Sequence, residues 1–320
     1  MSFIGKLVYK LYFEKKSKQA TIKKFGGKQN YLNMLAAEQE MKAYALNKLT
    51  IKSDFTPDGK FKLNFLTGDK FIHQSLFCTY SFFRHLSADE AKTFSVNYYS
   101  DGSLSDATSA ILKTRFPKIK VISFEESMAA VNAVLSTAAF PYLTKKIETL
   151  PLFKKMIFPH LSNKGPAIFF DSDMLFIHKP TAFLNWLNEH GDIADHTLCI
   201  QDVQRSYGYT DAEILKIWPV PIKNDVNSGM YAMHSEKMDL PFIENMIKEF
   251  DTQLGTQYYM EQLITGILLE KSGNLFVAPP SDYIVSPTTE QIIKQEGVLH
   301  HYVNESKEFY FKESWKQQLT

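Results

Sequence analysis

The sequence predicts an α/β fold: a mostly parallel central sheet flanked by helices, with a mixed α+β second half packed on the same sheet. Three observations carry this. Short apolar runs alternate with helix-length stretches through residues 62–170. The runs are apolar on both faces, the pattern of strands buried in a parallel sheet. They end in Gly68-Asp69, Asp101-Gly102 and Asp171 to Asp173, at strand carboxyl ends, where open α/β sheets bind their ligands.

Taken in order, residues 31–50 read as a helix with few breakers, and Pro57-Asp58-Gly59 is a turn that sets off this leader from the globular part. Residues 62–67 form the first strand, 73–86 a helix, 93–99 the second strand, 105–115 a helix and 120–124 the third strand. A long helical stretch then runs to about residue 161, broken near Pro141 and Pro151. Residues 166–170, Pro-Ala-Ile-Phe-Phe, are a strongly apolar strand. Beyond residue 200 turn residues multiply (Pro219, Pro221, Pro279, Pro280, Pro287), which marks the mixed half. The expected organisation is a basic helical leader, residues 1–58, and one catalytic domain, residues 59–320.

Composition narrows the class. Of 320 residues, 44% are hydrophobic and 22% charged, enough for a sizeable core. The 25 Phe and 16 Tyr read as core aromatics. The two cysteines, Cys78 and Cys199, lie in apolar runs without disulfide or zinc spacing and suit a reducing compartment. No run of about 18 apolar residues and no signal-type core occurs, so a soluble cytoplasmic protein is expected. Net charge is +1, but residues 1–30 hold eight Lys and one Glu, leaving −6 for the rest. With Phe3, Ile4, Leu7, Val8 and Leu11 at helical spacing, this head reads either as a packed helix with solvated lysines or as a peripheral contact with an anionic membrane. The mildly acidic remainder has no basic and aromatic stripe of the kind that binds nucleic acid.

Chemistry concentrates in two strings. The first runs from Ala167 through Asp171-Ser172-Asp173 to His178. Two carboxylates beside apolar neighbours are costly unless paired. A hard divalent cation, Mg²⁺ or Mn²⁺, resolves that cost, since such ions are held by one or two carboxylates plus substrate phosphates. The ordinary alternative is a pair of turn aspartates. The second string is His301-x-x-Asn304-x-x-Lys307. A neutral imidazole can complete a metal shell, and a lysine can meet a phosphate.

Together with Asn227-Ser228-Gly229, these strings resemble glycosyltransferase family 8 and its GT-A relatives over roughly residues 62–315. The resemblance implies a GT-A, Rossmann-like sheet and retaining transfer of a sugar from a nucleoside diphosphate sugar, UDP-linked, to an acceptor hydroxyl on a glycan or lipid-linked acceptor, as in surface polysaccharide synthesis. It implies that Asp171, Asp173 and His301 ligate Mn²⁺ and that Lys307 binds the diphosphate. Asn304 stands where the family usually has Gly; Asn tolerates a left-handed φ better than most residues.

The same frame implies further roles. Thr67, Gly68 and Asp69 end the first strand, where the family cradles base and ribose; Asp101 ends the second, either as a base contact or as a turn aspartate. Lys155 sits where the family often has an Arg near the nucleotide, with a solvated helix lysine as its alternative. Ser172, Asn227 and Ser228 belong to the donor-holding set, and Asp202 matches an acidic position near the donor sugar. Glu261-Gln262 resembles the family's Asp-Gln pair, with Glu in place of Asp. His178 and His300 read as structural. Three rivals compete. A haloacid-dehalogenase phosphatase wants Thr or Val where Met174 stands. A sugar-1-phosphate nucleotidyltransferase wants a Gly-rich basic loop that Thr67 to Lys70 does not supply. The third is a non-catalytic nucleotide-sugar-binding module.

Overall fold

Alternating side chains explain the main sheet of the computed structural model, which describes residues 18–51, 54–161 and 163–320. Strands β1 (Phe61–Thr67), β2 (Phe94–Ser100), β3 (Ile119–Ile122) and β4 (Pro166–Phe170) are followed by β5 (Met174–Phe176), β6 (His196–Gln201), β7 (Val226–His234), β8 (Asn274–Val277), β9 (Tyr283–Val285) and β10 (Leu299–His301). Seven of them form one sheet in the order β3-β2-β1-β4-β7-β6-β8, and β5-β10-β9 form a second. In the large sheet only β7 runs against its neighbours.

Successive residues of a strand face opposite sides, and here both sides are core. Ile168 and Phe170 of β4, Met230 and Ala232 of β7 and Leu198 and Ile200 of β6 join one apolar cluster. Phe169, Tyr231, Met233 and Cys199 join the other. Helix Ile72–Phe83 packs against the first cluster, and helices Pro151–Leu161 and Met260–Lys271 against the second. Helix Met260–Lys271 has ten buried residues out of 12, as a helix that is apolar nearly all round must.

The expected strands and helices are present, with local differences that have causes. The third strand stops at Ile122 rather than 124, because Ser123 accepts from the Glu126 amide and starts a helix with a full capping box. The helical stretch that ends at Leu161 is broken at Pro141 and Pro151, as expected, and each proline opens a new helix, the place where a missing N–H costs nothing. Asn227, Ser228 and Gly229 lie inside β7 rather than in a turn ahead of it.

The N-terminal head divides. The amphipathic segment with Phe3 to Phe13 lies outside the described residues. Helix Lys28–Asn47 is described, and it packs on helix Ile72–Phe83 and the C-terminal segment; Met34, Met41 and Ala45 are buried in the first cluster. Among the described residues no helix is long and apolar enough to cross a membrane.

Two predictions follow from the packing. Phe82 is fully buried, with the rings of Phe176, Phe94 and Phe170 centred 5.0, 5.2 and 5.7 Å away. Phe82→Ala is expected to lower unfolding stability by about 3–5 kcal/mol in urea melts; a loss under about 1 kcal/mol would contradict the packing account. His160 is buried between Ser235 Oγ and Tyr231 Oη, each 3.3 Å away. Burial pushes its pKa down to about 3, against a weaker opposing pull from Glu236. The fold holds it neutral, so its contribution is intact above the unfolded value near 6.5 and is lost as pH falls toward 3. His160→Gln is expected to remove up to about 1.4 kcal/mol per pH unit of that decline; equal pH slopes for both proteins would refute it.

Candidate active site

The antiparallel placement of β7 makes the cleft. Because β7 enters where β4 exits, Asn227, Ser228 and Gly229 lie beside Asp171, whose N–H donates to Gly229 O at 2.6 Å. The turn after β4 sends the chain into β5, which pairs antiparallel with β10, so Met174 faces His301 in register. The Tyr302 N–H donates to Asp173 O at 2.8 Å. Two sequence-distant strings are thereby joined by backbone pairing.

Asp171, Asp173 and His301 each offer one ligand atom, all within 4.8 Å of one another. His301 Nε2 lies 3.2 Å from Asp173 Oδ1 and 3.9 Å from Asp171 Oδ2, while its Nδ1 is buried without a partner. Lys307 Nζ lies 2.9 Å from Asp173 Oδ2. Burial works to raise the Asp173 pKa, but Lys307 and His301 outweigh it and hold the carboxyl well below the usual range. Asp173 in turn raises Lys307, against burial.

Lys155 rises from helix Pro151–Leu161 into the same centre. Its Nζ lies 3.5 Å from both Asp171 oxygens and 3.5 Å from Glu261 Oε2, and donates to Ser228 O at 3.3 Å. Burial would lower its pKa; Asp171 and Glu261 outweigh burial, so the ammonium stays charged. Burial pushes Glu261 up, with Lys155 pulling the other way. Glu261 accepts from Ser228 Oγ at 3.1 Å and Thr265 Oγ1 at 2.9 Å. Gln262 donates to Asp202 Oδ2 at 3.0 Å and to Ser206 O at 2.9 Å.

These groups line one cleft of about 280 Å³. Four carboxylates (Asp171, Asp173, Asp202, Glu261) face two lysines (Lys155, Lys307), a formal net −2 with His301 left out of the count. Two clustered carboxylates, one imidazole and surplus negative charge fit a hard divalent cation.

The cleft brings together Asp171, Asp173, His301, Lys307, Lys155, Asp202, Asn227, Ser228, Glu261 and Gln262. The remaining expected residues lie apart from its lining. Thr67 and Ser172 turn their hydroxyls into the protein, each 2.9 Å from Ser75 Oγ. Asp101 closes a local turn, accepting from the N–H and Oγ of Ser103, both at 2.7 Å. Gly68 is packed against it: a Cβ there would sit 2.4 Å from Asp101 Oδ1. Asp69 accepts from the Ser105 N–H at 3.1 Å. His178 and His300 donate to local carbonyls: His178 Nδ1 to Gly297 O at 2.7 Å and His300 Nε2 to Glu296 O at 2.6 Å. Asn304 does take the left-handed conformation, φ 55°.

Sequence reasoning missed the rim. Tyr258 and Tyr259 line the cleft with 60% and 46% of their surface exposed, and Val203 is 63% exposed. Two tyrosines just before Glu261, following the Gly255 turn, were the available signal.

The chain has the GT-A fold. Among solved structures it matches the apo form of mouse xyloside xylosyltransferase 1 with a TM-score of 0.52 at 12% identity, over 76% of this chain and 97% of that one. The galactosyltransferase LgtC, in complex with donor and acceptor sugar analogues, matches with a TM-score of 0.49 at 12% identity, over 80% of this chain and 99% of that one. No protein-family model matches the sequence. No curated protein matches it either.

Gly229 supplies a sharp test of the assembly. A Cβ there would stand 2.6 Å from His301 Cε1 and 2.8 Å from Met174 Cε. Gly229→Ala is expected to push the imidazole off Asp173 and weaken divalent-cation binding by about tenfold or more, read by calorimetric titration with Mn²⁺; unchanged affinity would contradict the assembly.

Proposed function

We propose that the protein is a glycosyltransferase that moves a sugar from a nucleoside diphosphate sugar, UDP-linked, to an acceptor hydroxyl. The observation that carries this reading is the joining of Asp171, Asp173 and His301 with Lys307 in one negatively charged cleft.

Asp171, Asp173 and His301 would hold Mn²⁺ or Mg²⁺, whose chemistry is to neutralise the charge that grows on a departing diphosphate. Lys307 pairs with Asp173 in the free protein and is placed to take a phosphate oxygen. Asp202, Asn227 and Ser228 line the side of the cleft assigned to the donor sugar, with Lys155 and Glu261 forming a fixed charged floor. Thr67, Gly68, Asp69 and Asp101, at the carboxyl ends of β1 and β2, are assigned to the nucleoside side. No carboxylate in the lining stands free of a partner: Glu261 is tied to Lys155, Ser228 and Thr265, and Asp202 to Gln262 and the Val203 N–H. That favours retention by front-side attack over a covalent intermediate. The transferase unit is assigned to residues 59–320. The acceptor is assigned to the open rim with Tyr258 and Tyr259, as a glycan or a lipid-linked glycan.

The test is a thermal-shift screen of nucleoside diphosphate sugars with and without Mn²⁺, followed by product analysis. A true donor at a hundred times its Kd stabilises the native state by about 2.7 kcal/mol. Asp173→Ala is expected to abolish metal-dependent transfer with an unchanged far-UV spectrum. Full activity in that variant would refute the metal role, and binding with no turnover would make the chain a sugar-nucleotide-binding module.

A further inference from the structure

Lys307 sits near the start of an irregular helical run, Asn304–Gln317. A 3₁₀ turn, Asn304–Ser306, is followed by one helical turn, Lys307–Phe309. The run continues through Tyr310–Ser314 and Trp315–Gln317, whose Tyr310, Phe311 and Trp315 are buried in the core; its first turns, which carry Lys307, gain further support on their outer side. The support comes from the N-terminal region. Lys24 Nζ donates to Asn304 Oδ1 at 3.0 Å and lies 3.3 Å from Glu305 Oε1. Asn30 Nδ2 donates to Glu308 Oε1 at 2.8 Å and to Phe25 O at 2.9 Å. Asn30 Oδ1 accepts from Lys312 Nζ at 2.6 Å, and Lys312 Nζ reaches Glu308 Oε1 at 2.8 Å. The anchored residues straddle Lys307, with Asn304 three positions before it and Glu308 one after.

The anchoring is specific rather than incidental. Asn30 is part-buried and uses both ends of its amide, a geometry that fixes the side chain. Behind it Trp315 packs between Tyr44 of helix Lys28–Asn47 and Phe77, with ring centroids 5.5 and 5.2 Å away. By contrast Lys316 and Glu40, 2.9 Å apart, form an exposed pair on the same interface that touches nothing near Lys307.

We propose that Asn30, assisted by Lys24, is a positioning residue for Lys307, so that the N-terminal helical region completes the diphosphate site from outside the catalytic domain. The proposal rests on the reading of Lys307 as the diphosphate ligand. Loss of the clasp loosens the turns that carry Lys307, while Tyr302 before it and Tyr310 and Trp315 after it stay packed in the core. The consequence falls on ground-state binding of the diphosphate rather than on the chemical step.

The experiment uses the full chain and two readouts. One is the rate of Lys307 acylation by an amine-reactive ester without nucleotide, followed by peptide mass spectrometry. The other is the Kd of UDP with Mn²⁺, together with KM and kcat once a donor is known. Asn30→Ala is expected to speed labelling several-fold and to raise the UDP Kd about five- to tenfold with kcat within about twofold, the size of one to two lost hydrogen bonds. Lys24→Ala, at an exposed position, is expected to move both readouts in the same direction by less. Glu308→Gln, which keeps an acceptor for Asn30, stays near wild type, as does Lys316→Ala. A lower melting temperature in Asn30→Ala with wild-type labelling and UDP affinity would overturn the proposal. Faster labelling in a protein whose wild type binds no nucleoside diphosphate would leave the clasp standing and sink the transferase reading.

Discussion

The structure turns on the gathering of like charges at the end of a buried strand. Asp171 and Asp173 leave β4 where the chain has just passed through two apolar cores, and Glu261 is buried almost completely beside them. Water reaches Glu261 hardly at all and Asp171 and Asp173 only in part, so the free protein pairs all three with its own cations. Lys155 is taken by Asp171 and Glu261, Lys307 by Asp173, and His301 stands between the aspartates. Yet the lining remains two charges short of neutrality. The cleft is thus balanced in part, which is the condition for a site that binds a cation and then an anion in the same place.

The two lysines differ in what they can do. Lys155 is 5% exposed, with four oxygens from three residues around it. Moving it would strand the buried Glu261 and take the lysine from Asp171, so it serves as fixed charge. The Lys307 side chain is 30% exposed and pairs with Asp173 alone. It has a single partner and an open side, so it can turn from Asp173 to another anion that enters the cleft. An immobile cation below and a mobile one above is a division of labour that residue type alone does not reveal.

Much of this was legible from residues, and the remainder was hidden for definable reasons. The run 166–170 announced a doubly buried strand because both of its faces are apolar, and Asp-Ser-Asp announced its end. The left-handed Asn304 was readable from its side chain's tolerance for that conformation. What local pattern cannot encode is pairing direction. Nothing in 226–234 says that β7 runs against β4, and that reversal is what sets Gly229 against His301. Hydroxyl direction is equally hidden: Thr67 and Ser172 were read toward a ligand, and their side chains instead meet at Ser75. The helix at 28–47 was seen as a leader because its own hydrophobic pattern is diffuse; its partners, Phe77 and Trp315, are distant in sequence.

The chain between β6 and β7 leaves the sheet at Asp202 and returns at Asp225, and the two meet where the Asp202 N–H donates to Asp225 O at 2.6 Å. Arg205 closes the neck again through Asp225 and Asp211, both 2.7 Å away. Between the pinch points Tyr207, Tyr209, Ile214 and Ile222 pack into the second core cluster, and Leu215 and Val220 stay exposed. The exposed positions of this excursion can therefore be exchanged with little strain on Asp171, Asp173 or His301, while its buried ones cannot. Its inner edge, Val203 to Ser206, forms one bank of the cleft. The molecule thus carries an interchangeable wall beside an unchanging charged floor, and diversification of what it accepts has a place to happen.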